Sequence, residues 1–393
     1  MDHTKLEKTE NVQAKEPNLK RVSFWFSLVF FLVLLTVGLL CFILPQETFS
    51  ENENRVLSTF RPSDFSGLGD EHFQEDFESF LTDQFPGREN LVRLSSGLKY
   101  ATGTRDIGGV YAGRNGRLFL QVTEKDASAG KWEDREAALN AFLDAFPELQ
   151  TDLILVPPAS ALYAGELPAF AYTFDYPARI GQARAFARTK DNLNLIEVES
   201  ALQNAKEQGQ NLYYRTDHHW TFYGARAAYC AYLEQLGRTP AAGDALPVSE
   251  DGDFYGTLAS KSMLPVDPDR LQYSLLPEGC TATADGKEIA VYHPERLEGK
   301  DHYLFFFDGN HAQMELHGKG QGSVLVVKDS FANAFLPFLL SDFETIHVID
   351  LRYFSESLAE YLSAHPVDRV LILYETGNLL TDLHFTKIAF GLN

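Results

Sequence analysis

Short apolar runs alternate with amphipathic helical segments over much of this chain, and this alternation constrains the fold more tightly than any other feature. Strands that are apolar throughout are typical of a parallel sheet buried on both faces, and helices must cover those faces. The sequence therefore predicts an α/β domain with a doubly wound, mostly parallel sheet, and functional residues are expected at the carboxyl ends of its strands. The predicted strands are residues 152–156, 195–198, 324–327, 345–349 and 369–374. The predicted helices are residues 132–147, 178–189 and 355–363, with a further helical run at 331–340.

Three regions fall outside this alternation. Residues 45–105 have a helical apolar rhythm followed by a turn-prone stretch, and we interpret them as an N-terminal cap segment before a domain at 106–393. Residues 108–119 hold two short β runs about an Arg-Asn-Gly turn, which predicts a hairpin. Residues 240–300 are rich in glycine, proline and acidic residues, which favours an insertion forming a lid or substrate rim.

An uncharged run of 23 residues extends from Val22 to Leu44. A helix of that length, at ~1.5 Å per residue, exceeds the ~30 Å hydrocarbon thickness of a bilayer. A cleaved signal peptide would have a shorter apolar core and a small-x-small site, so the run predicts an uncleaved transmembrane anchor over residues 22–44. Lys20 and Arg21 flank its N-terminal edge, so the positive-inside rule predicts a single-pass protein of the cell membrane. Residues 1–21 would be cytoplasmic and the C-terminal domain extracytoplasmic.

The formal net charge of −21 argues against a nucleic-acid partner, because phosphate binding needs a basic surface. Such a surface suits neutral sugars, cations or a basic partner, but acidity alone also keeps an exported domain soluble. Cys41 lies inside the apolar run, which leaves Cys230 and Cys280 as the one pair that could form a disulfide in an exported domain. Whether they pair cannot be read from the sequence.

A polar cluster, Asp217-His218-His219-Trp220, precedes a predicted helix that Thr221 caps and that ends near Gly237. In an extended segment, residues two apart project to the same side, so Asp217 and His219 would share a site while His218 points away. A histidine base needs such a carboxylate to fix its tautomer. Two alternatives stay open: the cluster caps the helix, or Asp217, His218 and His219 bind a metal.

Ser330 follows the buried run 324–327 and precedes an apolar helical run. A serine at such a strand-to-helix turn stands at the carboxyl edge of a parallel sheet, where nearby backbone N–H groups can stabilise an oxyanion. The alternative is that Asp329 or Ser330 is simply a helix N-cap.

Four motifs of this chain together resemble the DHHW protein family. They are Asp-His-His-Trp, the following Thr-Phe-Tyr-Gly-Ala, the Lys-Asp-Ser-Phe-Ala-Asn of residues 328–333 and Asp350-Leu-Arg-Tyr. The likeness runs from the Ser-Glu-Asn-Glu-Asn-Arg of residues 50–55 to the end of the chain. That family is similar to the SGNH-hydrolase-like domains of the alginate O-acetylation proteins, whose Asp-x-His-Trp and serine motifs form an acyl-transfer triad. The resemblance implies Asp217 as orienter, His219 as general base and Ser330 as nucleophile.

The sequence departs from the SGNH pattern in two places. Lys328 stands where Gly-Asp-Ser has its glycine, and Asp217 precedes His219 by two residues rather than three. The remaining oxyanion donors are therefore open, and residues 307–311 and 374–378 are potential sources. The oxyanion or substrate-binding candidates are Asn310, Asn333, Trp220, Tyr223 and Arg352.

These features lead us to expect a serine O-acyltransferase or esterase acting on acetyl groups of a cell-envelope polysaccharide. No nucleotide-binding loop is evident, so a membrane-bound acyltransferase partner would supply the acetyl group, and we expect neither a cofactor nor a metal. The alternative is a non-catalytic glycan- or partner-binding module on the same fold. In that module Trp220, Tyr223, Tyr353 and Phe354 would stack on sugars.

Overall fold

A computed structural model describes residues 19–50, 55–67, 69, 72–129, 132–249 and 252–392. The predicted cytoplasmic tail lies outside these residues apart from its last three positions, as do residues 51–54 of the motif at 50–55. Contacts divide the described residues into two compact units, with the division between Val92 and Arg93. The predicted division into a cap segment at 45–105 and a domain from 106 stays a prediction.

The helices and strands are numbered here in chain order. The α-helices are α1 (Leu19–Ile43), α2 (Phe73–Asp83), α3 (Arg88–Ala101), α4 (Glu124–Ala129), α5 (Trp132–Ala145), α6 (Ala159–Leu162), α7 (Tyr176–Ala187), α8 (Glu199–Glu207), α9 (Phe222–Gln235), α10 (Thr257–Ser262), α11 (Ala332–Leu339), α12 (Leu358–Ala364) and α13 (Thr376–Thr381). The strands are β1 (Phe49–Ser50), β2 (Arg55–Val56), β3 (Asp106–Ile107), β4 (Val110–Ala112), β5 (Leu118–Leu120), β6 (Gln150–Val156), β7 (Leu193–Leu195), β8 (Val248–Ser249), β9 (Gln272–Tyr273), β10 (Thr281–Ala284), β11 (Lys287–Ile289), β12 (Gln313–His317), β13 (Ser323–Lys328), β14 (Thr345–Ile349) and β15 (Arg369–Glu375). Short 3₁₀ helices cover Pro62–Gly67, Arg114–Gly116, Ala164–Glu166, Pro294–Glu298, His302–Phe305 and Phe385–Ala389.

The smaller unit contains α1 and a cluster of phenylalanines. Within the described residues, one helix, over Arg21–Ile43, is long and apolar enough to cross a membrane, although a signal sequence has the same properties. Most of its apolar side chains are exposed, as a lipid-facing helix requires. Near its end, Cys41 packs in a small core with Phe60 and Phe80.

The larger unit is built on a mixed sheet of eight strands in the order β11-β10-β12-β14-β13-β15-β6-β7. Strands β14, β13, β15, β6 and β7 run parallel to one another. Strands β12, β10 and β11 extend one edge in antiparallel pairing. The predicted doubly wound, mostly parallel α/β sheet is therefore confirmed.

Successive residues of the central strands enter two separate cores. Val324 and Val326 of β13 pack in one core with α8, α9 and α11. Leu325 and Val327 pack in the other core with α5, α7, α12 and α13. This alternation explains why residues 324–327 of the strand are all apolar, because both of its faces are covered by helices.

Helices leave the centre of the sheet toward opposite faces. Helix α11, which follows β13, packs in the first core, whereas α13, which follows β15, packs in the second. In open α/β sheets the crevice outside such a switch point is the usual ligand site. Ser330 and Glu375 lie at this edge, just after β13 and at the end of β15.

One predicted strand boundary differs from the structure. The strand predicted at 195–198 is β7 at Leu193–Leu195. Ile196 and Val198 lie beyond it and are buried in the first core, although the N–H of Ile196 still donates to the carbonyl oxygen of Leu153 in β6 at 2.9 Å. Within the region at 240–300, β10 and β11 pair at the edge of the central sheet, and the interpretation of this region as an insertion stays a prediction. All three cysteines are described, and each is a free thiol.

Candidate active site

Ser330 lies in the turn between β13 and α11 and is 9% exposed. The turn is fixed by Asp329, whose Oδ1 accepts a hydrogen bond from the N–H of Phe331 at 2.9 Å. A short polar side chain that accepts a bond from the backbone two residues on is a common way to make such a turn. Ser330 is thereby held at the carboxyl edge of the parallel strands, as the sequence predicts.

Asp217, His219 and Ser330 form one chain of hydrogen bonds. His219 Nδ1 lies 2.6 Å from Asp217 Oδ1, and His219 Nε2 lies 2.8 Å from Ser330 Oγ. Asp217 and His219 are almost fully buried. The chain therefore has the order of a carboxylate, an imidazole and a hydroxyl, in which one ring nitrogen faces each oxygen.

The local backbone differs from the extended segment that the sequence predicts. Asp217 Oδ1 also accepts the backbone N–H of His219 at 2.9 Å, so the segment is a tight bend closed by the aspartate itself. For this reason His218 does not point away, and its ring centroid lies 3.9 Å from that of His219. His218 Nδ1 lies 2.8 Å from Thr257 Oγ1. Burial, followed by the charge of His219, lowers the pKa of His218 to about 4, so it is neutral near pH 7.

The carboxylate of Asp217 is held from its other side by α10. Its Oδ2 accepts hydrogen bonds from the N–H of Thr257 at 2.7 Å and from Thr257 Oγ1 at 2.9 Å. Gly256 permits this approach, since a Cβ at that position would lie 2.5 Å from Asp217 Oδ2. Burial opposes the charged form of Asp217, but the protonated forms of His218 and His219 and the hydrogen bonds from the ring and backbone N–H of His219 hold its pKa below the usual range.

Tyr303 fixes the plane of the His219 imidazole. Its ring stacks on that of His219 with centroids 3.7 Å apart and planes 6° apart. Its hydroxyl donates to the carbonyl oxygen of Ser330 at 3.3 Å. Sequence reasoning missed Tyr303 and Thr257, because each lies far from the motifs along the chain and neither stands in a distinctive pattern.

The aromatic candidates Trp220 and Tyr223 do not line the triad. Trp220 is fully buried, its Nε1 donates to the carbonyl oxygen of Phe331 at 2.8 Å, and its ring stacks on Phe335. It therefore supports the turn that carries Ser330 and cannot stack on a sugar. Tyr223 lies in α9, edge-on to Phe222 at 5.4 Å, and among the described residues no hydrogen bond or ring contact joins it to Asp217, His219 or Ser330.

Asn310, Asn333 and Arg352 belong to a polar network around Lys328. The buried Lys328 Nζ donates to Asn310 Oδ1 and to Asn333 Oδ1, each at 2.7 Å. It also lies 3.6 Å from Asp350, which pairs with Arg352 at 2.6 Å. Burial lowers the pKa of Lys328 to about 8, and Asp350 opposes this shift. The buried ammonium thus holds the two amide oxygens, whereas an oxyanion would be bound by the amide N–H groups, so the oxyanion role of Asn310 and Asn333 stays a prediction.

A second buried carboxyl, Glu375, lies at the same edge. Its backbone N–H donates to Asp329 Oδ2 at 2.9 Å, and Asn378 Nδ2 donates to the same oxygen at 2.8 Å. Burial raises the pKa of Glu375 to about 8, and the N–H groups of Gly377 and Asn378 oppose this shift. The sequence could have indicated Glu375, because it directly follows the apolar run of β15 where functional residues are expected.

Asp217, His218 and His219 also offer ligand atoms within 4.8 Å of one another. Both ring nitrogens of His219 already face hydrogen-bond partners, however, so a metal ion would have to displace Asp217 or Ser330. These residues fit a hydrogen-bonded triad better than a metal centre. Chemically, the arrangement can pass a proton from the Ser330 hydroxyl to a neutral His219 whose developing charge faces Asp217.

A family model described as the SGNH hydrolase-like domain of the acetyltransferase AlgX matches residues 110–285. The match includes Asp217 and His219 and ends before Ser330. No curated protein sequence matches the chain.

Solved structures extend the similarity over most of the chain. A DHHW family protein from Eubacterium siraeum is 21% identical with a TM-score of 0.58, over 71% of this chain and 95% of that one. PatB1 from Bacillus cereus with a sulfonyl adduct is 18% identical with a TM-score of 0.56, over 70% of this chain and 97% of that one. Another structure of PatB1 is 20% identical with a TM-score of 0.55, over 69% and 97% of the two chains. The resemblance to the DHHW family and to SGNH-hydrolase-like domains is therefore confirmed, and the protein has the SGNH-hydrolase-like α/β fold.

Proposed function

We propose that the protein is a membrane-anchored serine O-acyltransferase or esterase that acts outside the cytoplasm on acetyl groups of a cell-envelope polysaccharide. The observation that carries the proposal is the hydrogen-bonded chain from Asp217 through His219 to Ser330. The match to a domain of an acetyltransferase supports acetyl as the acyl group. The apolar helix over Arg21–Ile43 supports an anchor, which would bring the site to the polymers of the cell envelope.

The proposed reaction proceeds through an acyl-serine. Ser330 Oγ attacks the carbonyl carbon of the donor ester while His219 Nε2 takes the hydroxyl proton, and Asp217 stabilises the imidazolium. As the carbonyl reforms, the bond to the leaving oxygen breaks and His219 protonates that oxygen. A sugar hydroxyl, or water, then gives its proton to His219 and attacks the acyl-serine. The bond from the acyl carbon to Ser330 Oγ breaks, and His219 returns the proton to that oxygen. We propose that the backbone N–H of Ser330 helps to bind the oxyanion.

The structure offers less support for a non-catalytic sugar-binding module. Trp220 and Phe354 are buried, which removes two of the four aromatic residues that would stack on sugars. Tyr353 is 55% exposed, but a single exposed ring does not make a binding platform.

A fluorophosphonate probe tests the proposal on the full-length protein in detergent. We expect covalent labelling that is lost in Ser330→Ala and in His219→Gln, because the hydroxyl is unreactive without its base. Ser323→Ala is the matched control, since this serine lies at the opposite end of the same strand and should leave labelling intact. Labelling that persists in Ser330→Ala would contradict the serine mechanism.

A further inference from the structure

A cavity of about 30 Å³ lies at the carboxyl edge of the sheet. Its walls include His218 and Phe331, which are the chain neighbours of His219 and Ser330. Most of the remaining wall is apolar and includes Val122, Pro158 and Phe174, and Glu375 contributes a carboxyl group.

Glu375 reaches this cavity from the strand next to that of Ser330. Strands β13 and β15 are parallel, and Lys328 of β13 lies opposite Leu373 of β15. Ser330 comes two residues after Lys328 and Glu375 two residues after Leu373, so both lie at the same edge of the sheet. Glu375 is 6% exposed, and its Oε2 accepts the N–H of Asn378 at 2.7 Å. Its Oε1 is buried and has no hydrogen-bond partner among the described residues. A buried polar atom without a hydrogen-bond partner destabilises the folded protein, and a ligand atom that forms the missing hydrogen bond would remove this cost.

We propose that this cavity is the acyl pocket of the serine site, that it admits acetyl and excludes longer acyl chains, and that Glu375 donates a hydrogen bond from Oε1 to an acyl oxygen. The inference rests on the proposed function and names the part of the site that selects the acyl group.

The size of the cavity supports acetyl. One water-sized probe occupies roughly 10–15 Å³, so a cavity of about 30 Å³ has room for about two small groups. An acetyl group attached at Ser330 has two such groups, a methyl and an oxygen. The apolar wall suits the methyl, whereas a longer chain would meet the packed side chains of Val122 and Phe174.

The chemistry of Glu375 supports the donor role. Its pKa of about 8, raised mainly by burial and further by the charge of Asp329, keeps the carboxyl protonated near pH 7. His218 lines the same cavity and is neutral at that pH, so no cation faces Glu375 from that side. A neutral carboxyl that keeps its proton can donate to a developing oxyanion, as known active-site acids do. As a carboxylate it would instead repel that charge.

Alkylsulfonyl fluorides of two lengths test the size of the pocket. Ser330 Oγ forms a bond to sulfur, fluoride leaves and the hydroxyl proton passes to His219, so the reaction requires no natural substrate. With the full-length protein in detergent, we expect methanesulfonyl fluoride to modify Ser330 at least about tenfold faster than butanesulfonyl fluoride, as followed by intact mass.

Val122→Ala should raise the rate with the butyl reagent by about tenfold, because it removes two methyl groups from the wall. Val266→Ala is the matched control: this partly buried valine lies outside the cavity, and its loss should leave the ratio of the two rates unchanged.

Substitutions of Glu375 test the hydrogen bond. Glu375→Leu should slow modification by methanesulfonyl fluoride by about tenfold or more, because the sulfonyl oxygens then lack a donor. Glu375→Gln should recover most of that loss, since its carbonyl oxygen can still accept the N–H of Asn378 while its amide donates in place of Oε1. Equal thermal midpoints of the two variants would separate this effect from misfolding.

The outcomes distinguish the two proposals. If neither reagent modifies Ser330, the proposed function fails and the pocket fails with it. If Ser330 reacts at the same rate with both chain lengths, or if Glu375→Leu reacts as fast as the parent protein, the pocket is overturned while the serine mechanism stands.

Discussion

Ser330, His219 and Asp217 depend on one another, because the imidazole uses one nitrogen for each oxygen. Ser330→Ala and His219→Gln should each lower turnover by several orders of magnitude, and the double variant should be scarcely worse than either, since members of a triad act as a unit. Asp217→Asn should lower turnover somewhat less than either of these substitutions. Ester hydrolysis by the purified variants measures these effects, and strictly additive losses would argue against a triad.

His218→Gln is the control for the choice between the two adjacent histidines. Although the rings of His218 and His219 are 3.9 Å apart, the hydrogen-bond partner of His218 is Thr257 rather than Ser330. We therefore expect a loss of activity of no more than about tenfold, the size expected for one hydrogen bond. Activity that is abolished in His218→Gln and intact in His219→Gln would show that His218 is the base.

The free energy of unfolding of the protein should depend on pH through the protonation of Glu375. Its pKa in the folded protein, about 8, is above the ordinary value of 4.5, so the folded state keeps a proton that the unfolded state releases. The resulting stability is complete below pH ~4.5 and is lost as the pH rises through ~8. Glu375→Gln removes this dependence on pH. Between pH 5 and 8, the free energy of unfolding of the parent should therefore fall by a few kcal/mol more than that of the variant, at ~1.4 kcal/mol per pKa unit. Parallel pH profiles of the thermal midpoint would contradict the assignment.

At the scale of elements, α10 is the support on which Asp217 rests. In Gly256→Ala, the added Cβ would lie 2.2 Å from Asp217 Cβ, so either the helix or the carboxylate must move. We expect a loss of about 2 kcal/mol in unfolding free energy together with a large loss of activity. Gly181→Ala is the matched control, because its Cβ meets no atom within 4 Å and the change should be neutral or stabilising by ~0.5–1 kcal/mol. Chemical denaturation and ester hydrolysis on both variants make the comparison.

The elements also show what the sequence can and cannot predict. Strands β6, β13, β14 and β15 each contain a mostly apolar run because helices cover both faces, and the sequence predicts all four strands. Strands β10 and β11 form the antiparallel edge and have no such run, so the sequence does not predict them as strands of the sheet. The meeting of Asp217 and His219 was predicted from an extended segment, whereas the structure achieves it by a side-chain-closed bend. Thr257 and Tyr303 reach the site only through tertiary packing, which no local pattern encodes, whereas the position of Glu375 at the end of β15 is a signal that the sequence does contain.

At the scale of the whole molecule, the proposed topology places residues after the apolar helix outside the cytoplasm. Protease added to intact cells should therefore remove most of the protein, and the mature N-terminus should lie before residue 44, since an uncleaved anchor is expected. A C-terminal epitope tag followed by immunoblotting measures the first point, and N-terminal sequencing measures the second. Protection of the tag, or a mature N-terminus beyond residue 44, would refute the topology.

The position of β15 has a consequence for how the protein is made. Although β15 follows the other seven strands of the central sheet along the chain, it lies between β13 and β6, so these two strands have no partner on that side until it has been synthesised. Until then the growing chain exposes the unpaired edges of two apolar strands, and such edges are prone to pair with other chains. Completion of the sheet must wait for residue 375, and a product that stops short of it lacks both the central strand and the wall of the cavity beside Ser330. Biogenesis should accordingly require protection of the nascent chain until β15 has been synthesised.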